Sequence, residues 1–99
     1  MENYPISHLA ISLEKGALES ARYFIDAGAD LELVCFDKTP LMYAVKHGHL
    51  ELVTYLIEKG ARVDVISVED KTALDYAIKY GHPEIEAYLR TVISKPNTN

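Results

Sequence analysis

His47-Gly48-His49, with His82 at a regular offset beyond His49, is the first stretch of this chain whose residue types could do chemistry. Two closely spaced imidazoles and a third at that offset raise the question of a metal. Zinc is held by three or four converging ligands at defined spacing, and this set does not offer that pattern. Cys35 is the single thiol. It has no neighbour with a claim to act as its base, and one cysteine excludes an internal disulfide. Asp37 and Asp70 stand apart by the same offset as His49 and His82. On stacked helices that offset separates them by about 8–10 Å or more, a distance that paired carboxylates can use. Each, however, lies two residues before a threonine suited to cap a helix, where an acid is favourable against the helix N-terminus. No Gly-rich phosphate loop, nucleophile elbow or zinc-protease helix motif occurs. The expectation is a chain that is not an enzyme, with no catalytic residue, no metal and no cofactor.

The regular offset points to the elements that position these residues. Residues 39–48 read Thr-Pro-Leu-Met-Tyr-Ala-Val-Lys-His-Gly and residues 72–81 read Thr-Ala-Leu-Asp-Tyr-Ala-Ile-Lys-Tyr-Gly, a displacement of 33. A fixed period of this length marks a stacked repeat. Leu41, Ala44, Val45 and, across a turn, Leu50, Val53, Leu56 and Ile57 recur at helical spacing. Thr39 and Thr72 suit N-caps, and Pro40 suits a first helical position, where its missing N–H is harmless. Gly48, Gly60 and Gly81 fall where helices should end. Each unit therefore reads as two short antiparallel helices followed by a loop. Ala44 and Ala77 permit close approach between neighbouring helices.

The string Thr39-Pro40-Leu41, Ala44, Gly48-His49-Leu50-Glu51, Gly60-Ala61 resembles the ankyrin repeat. Thr72, Leu74, Ala77, Gly81-His82 and Glu84 repeat much of it. A fainter copy runs through Leu9, Gly16, Leu18, Glu19, Tyr23, Ile25 and Gly28-Ala29-Asp30 at an offset of 32, the missing residue falling in the loop before Thr39. The resemblance covers roughly residues 5–93. It implies an all-α solenoid of three stacked helix-turn-helix repeats joined by protruding loops, at about 5–36, 37–69 and 70–93, with 94–99 a frayed tail of a single 1–99 domain. It also implies that His49 and His82 bond to loop backbone and brace neighbouring repeats. His47 then reads as a surface residue and His8 as a cap neighbour. Glu86 and Arg90 replace Val53 and Ile57, and Ser20 replaces Leu52, so the outer repeats read as caps. On that pattern we expect a complete small protein. Departures from the family's string are Met42 and Asp75 in place of its histidine, which should alter its bond network with the threonine. Ala73 replaces Pro40, Pro83 replaces Leu50, and Glu32 and Asp64 stand where an asparagine is usual. Pro83 can open its helix without harm.

The chain has 99 residues and a net charge of −5, with 48% apolar and 25% charged residues, an ordinary globular balance. The acidity argues against nucleic acid and against an anionic membrane as partners. No apolar run has membrane-spanning length, and the first residues lack the pattern of a secretory signal. A cytoplasmic protein, monomeric when free, is expected. Glu19, Glu51, Glu58, Glu84 and Glu86 fall on the second helices, which the resemblance places on the outer surface. Lys46, His47 and Lys79 fall beside the inner groove, leaving it neutral or slightly positive.

Partners of ankyrin proteins usually bind the inner groove and the loop tips. Carried over by register, the tips supply Val34, Phe36, Asp37 and Lys38, then Ile66, Val68, Glu69 and Lys71. The inner helices supply Tyr43, Lys46, His47, Tyr76, Lys79 and Tyr80. Turns usually carry polar residues, so Val34, Phe36, Ile66 and Val68 at loop tips ask for a reason. Aromatic anchors within a charged rim describe a protein-binding hot spot. The expected function is therefore recognition of another protein by steric contact. The alternative is a small acidic inhibitor or immunity-type protein that blocks a toxin or enzyme.

Overall fold

The structure is a computed structural model that describes residues 4–32, 34 and 37–94. Among them six helices follow in chain order: α1 (Tyr4–Lys15), α2 (Leu18–Asp26), α3 (Pro40–Lys46), α4 (Leu50–Glu58), α5 (Ala73–Lys79) and α6 (Pro83–Ser94). They pair as α1 with α2, α3 with α4 and α5 with α6. The pairs stack in sequence, α1 on α3 on α5 as an inner row and α2 on α4 on α6 as an outer row. This is the all-α solenoid of three repeats that the sequence period implied.

Local chemistry sets the helix starts. The Thr39 hydroxyl accepts from the Met42 N–H at 3.3 Å, and Pro40 opens α3. Thr72 caps α5 more fully: its hydroxyl accepts from Asp75 N–H at 3.3 Å, while the Asp75 carboxylate accepts from Thr72 N–H at 3.0 Å. This reciprocal box satisfies two backbone donors that a helix start otherwise leaves bare. Asp75 thus supplies a bond network where the family's histidine is missing, whereas Met42 enters the core. Asp75→Ala should lower stability by about 0.5–1 kcal/mol, read as a shift of the urea midpoint at constant slope. An unchanged midpoint would mean that water replaces the box at no cost.

The core is continuous through the stack. Leu9, Leu13 and Ala21 meet Leu41, Ala44, Val45, Leu52, Val53 and Leu56, which in turn meet Ala73, Tyr76, Ala77, Ile85 and Leu89, all buried. Because α3 packs against both neighbours, Val45 is fully buried; its counterpart Ile78 on α5 is about half exposed. Glu86 and Arg90 pair at 2.9 Å where the middle repeat has Val53 and Ile57. On the outer row the Tyr55 hydroxyl donates to the Asp26 carboxylate, and Lys59 reaches the same carboxylate at 3.8 Å. These contacts tie the first two repeats together.

Two histidines tie the inner row. His49 Nε2 lies 3.1 Å from the Glu14 carbonyl and His82 Nε2 lies 2.9 Å from the Lys46 carbonyl. Each imidazole N–H thereby satisfies a carbonyl in the last turn of the preceding inner helix, an acceptor that helix ends leave unpaired. The geometry gives His49 and His82 the bracing role that the family resemblance implied, but the carbonyls they reach belong to helix ends and not to loop backbone. Among the described residues no group of three or more His, Cys, Asp or Glu side chains is placed to hold a metal ion. The His8 side chain lies outside the described residues.

Candidate functional site

The loop before α5 builds the first part of the site. Ser67 N–H donates to the Lys71 carbonyl and Asp70 N–H donates to the Ser67 carbonyl, both at 2.9 Å. The Ser67 hydroxyl accepts from Glu69 N–H at 3.1 Å. Asp70 sits at φ +66°, a left-handed conformation that Asp tolerates better than most residues. The turn is therefore held from within, and it carries Val68 at 77% exposure and Ile66 at 60%. Neither folds back over its own repeat. Val34, from the preceding loop, is also exposed. Phe36 lies outside the described residues.

Tyr76 is where the sequence reading needs correction. It was expected as an exposed anchor on the inner face, yet its relative exposure is 0%. Its ring stacks on Tyr80 at 6.2 Å. Its hydroxyl lies 2.9 Å from the Ser67 hydroxyl and donates to Glu69 at 3.2 Å. Tyr76 therefore fastens the loop to α5 and offers nothing to a partner. Lys38 needs the same correction. Its side chain is only 7% exposed and pairs with Asp37 at 3.2 Å. The ammonium lies over the rings of Tyr76 and Tyr43 at 5.4 and 5.9 Å. Burial pulls the Lys38 pKa down, but the hydrogen bond and charge of Asp37, with Tyr76 and Glu69 behind it, more than offset this and hold it above the usual lysine value. A buried cation is tolerated when paired and flanked by aromatic faces.

His47 is the third case. Its Nε2 is covered and makes no hydrogen bond, with the Glu14 carboxylate 3.8 Å away. Burial lowers its pKa, against the pull of Glu14, because a covered site disfavours the charged ring. It stacks beside His49, and its side chain is only partly exposed, so the surface residue expected from sequence is half-buried.

The remaining residues gather on the free flank of α3 and α5. Tyr43 is half-buried against the core, and Tyr80 is exposed at the end of α5. Lys46 Nζ lies 5.5 Å from the Tyr80 ring centre, and Lys79 Nζ lies 5.4 Å from the same centre. Lys79 also reaches Glu69, at 3.9 Å. Lys71 is half-buried at the base of the turn. The structure thus joins Ile66, Val68, Glu69, Lys79, Tyr80 and Lys46 through a chain of contacts and turn geometry. Sequence reasoning set Lys46 and Lys79 beside one groove but missed that they converge on one ring. Their shared register, one full period apart, was the available signal.

The profile for ankyrin repeats (3 copies) matches residues 7–99. The chain is 56% identical over 48 residues to human "Ankyrin repeat and KH domain-containing protein 1", a match covering 48% of this chain and 2% of that protein. It is 37% identical over 62 residues to "Ankyrin repeat and KH domain-containing protein CBG24701" of Caenorhabditis briggsae, covering 63% of this chain and 2% of that protein. It is 46% identical over 48 residues to "Ankyrin repeat and KH domain-containing protein mask" of Drosophila melanogaster, covering 48% of this chain and 1% of that protein. The chain therefore spans only about one-fiftieth of the length of the relatives it matches. Among the described residues no helix is long and apolar enough to cross a membrane.

Proposed function

This chain belongs to the ankyrin repeat family, and from that premise we propose that it captures another protein on the free flank of its inner helices and on its loop tips. Ankyrin repeats are protein-interaction modules. The observation that carries the finer reading is the loop tip. Val68 and Ile66 are held outward on a turn whose own hydrogen bonds fix it. Two exposed branched aliphatic side chains on a rigid turn add nothing to the stack, and covering them removes apolar surface from water. Tyr43, Tyr80, Val34, Lys46, Lys79 and Glu69 extend the same surface. Three repeats offer about 800 Å² to a partner, a standard interface. Mechanism at this level is steric: the bound protein has a surface covered, or is held near another. We place the chain in the cytoplasm and as a monomer when free.

Ile66→Asp with Val68→Asp tests the reading. The variant should keep its helical circular dichroism and its melting temperature, because both side chains are exposed, and should lose capture of the partner that the unaltered chain retains from its source cell. Capture by the variant at full strength would move the site elsewhere. The acidic-inhibitor alternative draws on the net charge of −5, but the lysines on the binding flank favour a partner of the opposite kind.

A further inference from the structure

We propose that the partner presents a carboxylate-rich segment and that Lys46, Lys79 and Tyr80 form its seat; this rests on the partner-binding reading of the same flank. The two ammonium groups come from adjacent repeats and lie within 5.5 Å of one ring centre. They are therefore no more than about 11 Å apart, close enough to feel each other through about one Debye length of salt. The π-face of Tyr80 offsets part of that repulsion. Carboxylates offset little of the rest. Lys79 has Glu69 at 3.9 Å, with side-chain exposures of 46% and 43%, and so exposed a contact contributes little. Among the described residues no carboxylate pairs with Lys46.

Helix ends offset only part of these charges. Lys46 and Lys79 do stand in the last turns of α3 and α5, where carbonyl groups attract cations. The Lys46 carbonyl, however, already accepts from His82. Lys38, another nearby cation, is buried and paired with Asp37. An incoming carboxylate thus meets the exposed Lys79 and the half-buried Lys46 beside one tyrosine ring. Releasing Lys79 from Glu69 costs the complex little.

The rest of the molecule makes the seat selective. The chain carries a net charge of −5, and Glu19, Glu51, Glu58 and Glu84 are exposed on the outer helices. An acidic segment is repelled by that surface and drawn to the lysine pair, which fixes its orientation. Glu69 links Lys79 to the loop tip, so the segment that fits has carboxylates over Tyr80 and an apolar side chain over Val68 and Ile66.

A displayed library of short random peptides, selected against the full chain, tests this, with the most enriched peptides measured by fluorescence anisotropy. Acid-rich peptides with an apolar flank should emerge. Lys46→Gln with Lys79→Gln should weaken them by roughly tenfold or more and flatten the salt dependence, while Lys46→Arg with Lys79→Arg should retain binding. Neutral or basic peptides that ignore the glutamine pair but are lost with Ile66→Asp and Val68→Asp would overturn the acidic seat and leave the binding flank standing. Acidic peptides indifferent to both sets of changes would overturn both readings. Absence of any enriched peptide would overturn the seat, as would a dimer of this chain in sedimentation that the glutamine pair dissolves, since a second copy would then be the occupant.

Discussion

Tyr76→Ala is expected to cost about 3–5 kcal/mol, the loss that follows from removing a large aromatic ring from a close-packed interior. The ring is fully buried, and its removal leaves more than a void. Lys38 loses one of the two aromatic faces that cover its ammonium. Ser67 and Glu69 lose the hydroxyl that holds the loop against α5. A domain of this size has a total stability of about 5–15 kcal/mol, so the variant should be largely unfolded at moderate urea and marginal in water. Tyr76→Phe keeps the ring and loses only the two hydroxyl contacts, so it should cost about 1 kcal/mol. Urea midpoints followed by circular dichroism separate the two. If Tyr76→Ala unfolds at nearly the midpoint of the unaltered chain, the ring is not core and the loop is not fastened through it. Tyr76→Ala is accordingly a folding variant, and loss of capture in it would say nothing of the binding surface.

Tyr43 and Tyr76 show where sequence stops being informative. They occupy the same register in successive repeats, and period alone assigns them one fate. The fold follows from local rules that each repeat obeys by itself: a threonine cap, a turn glycine, apolar residues at helical spacing. Those rules placed the helix starts at Pro40 and Pro83 and the capping threonines correctly, while the bracing histidines came from the family resemblance. Burial of a particular tyrosine depends on what lies over it. For Tyr76 that cover is Lys38, which a register argument treats as a solvated loop charge, and the Ser67 turn, whose hydrogen bonds are not periodic. The exposed site was legible in part for the same reason. Val68 and Ile66 stood out because apolar residues in a turn need a cause. Lys46 and Lys79 share a register, but the ring they both face stands at residue 80, where the preceding repeat has His47. The convergence arises only when neighbouring repeats are stacked, since Lys46 belongs to one repeat and Tyr80 to the next.

Stacking also decides the second large effect. Gly48 and Gly81 close α3 and α5 with nearly the same backbone, φ +77° and +73°. An L-residue in that region costs about 1–2 kcal/mol, so backbone strain alone predicts that Gly48→Ala and Gly81→Ala are equally harmful. Their surroundings differ. A Cβ at Gly48 would stand 2.7 Å from His82 Cε1 and 3.0 Å from its Nδ1, whereas a Cβ at Gly81 meets nothing within 4 Å. The His82 ring cannot retreat without giving up its 2.9 Å bond to the Lys46 carbonyl. Gly81→Ala should therefore cost about 1 kcal/mol, and Gly48→Ala about 2–4 kcal/mol, the excess being the overpacking of a fixed ring. A cycle with His82→Ala isolates the cause. Removing the ring makes room for the methyl group, so the double variant should be less destabilised than the sum of its parts by about 1–2 kcal/mol. Equal midpoints for Gly48→Ala and Gly81→Ala, or an additive cycle, would mean that the ring swings aside freely and that the histidine brace does not hold the second and third repeats together.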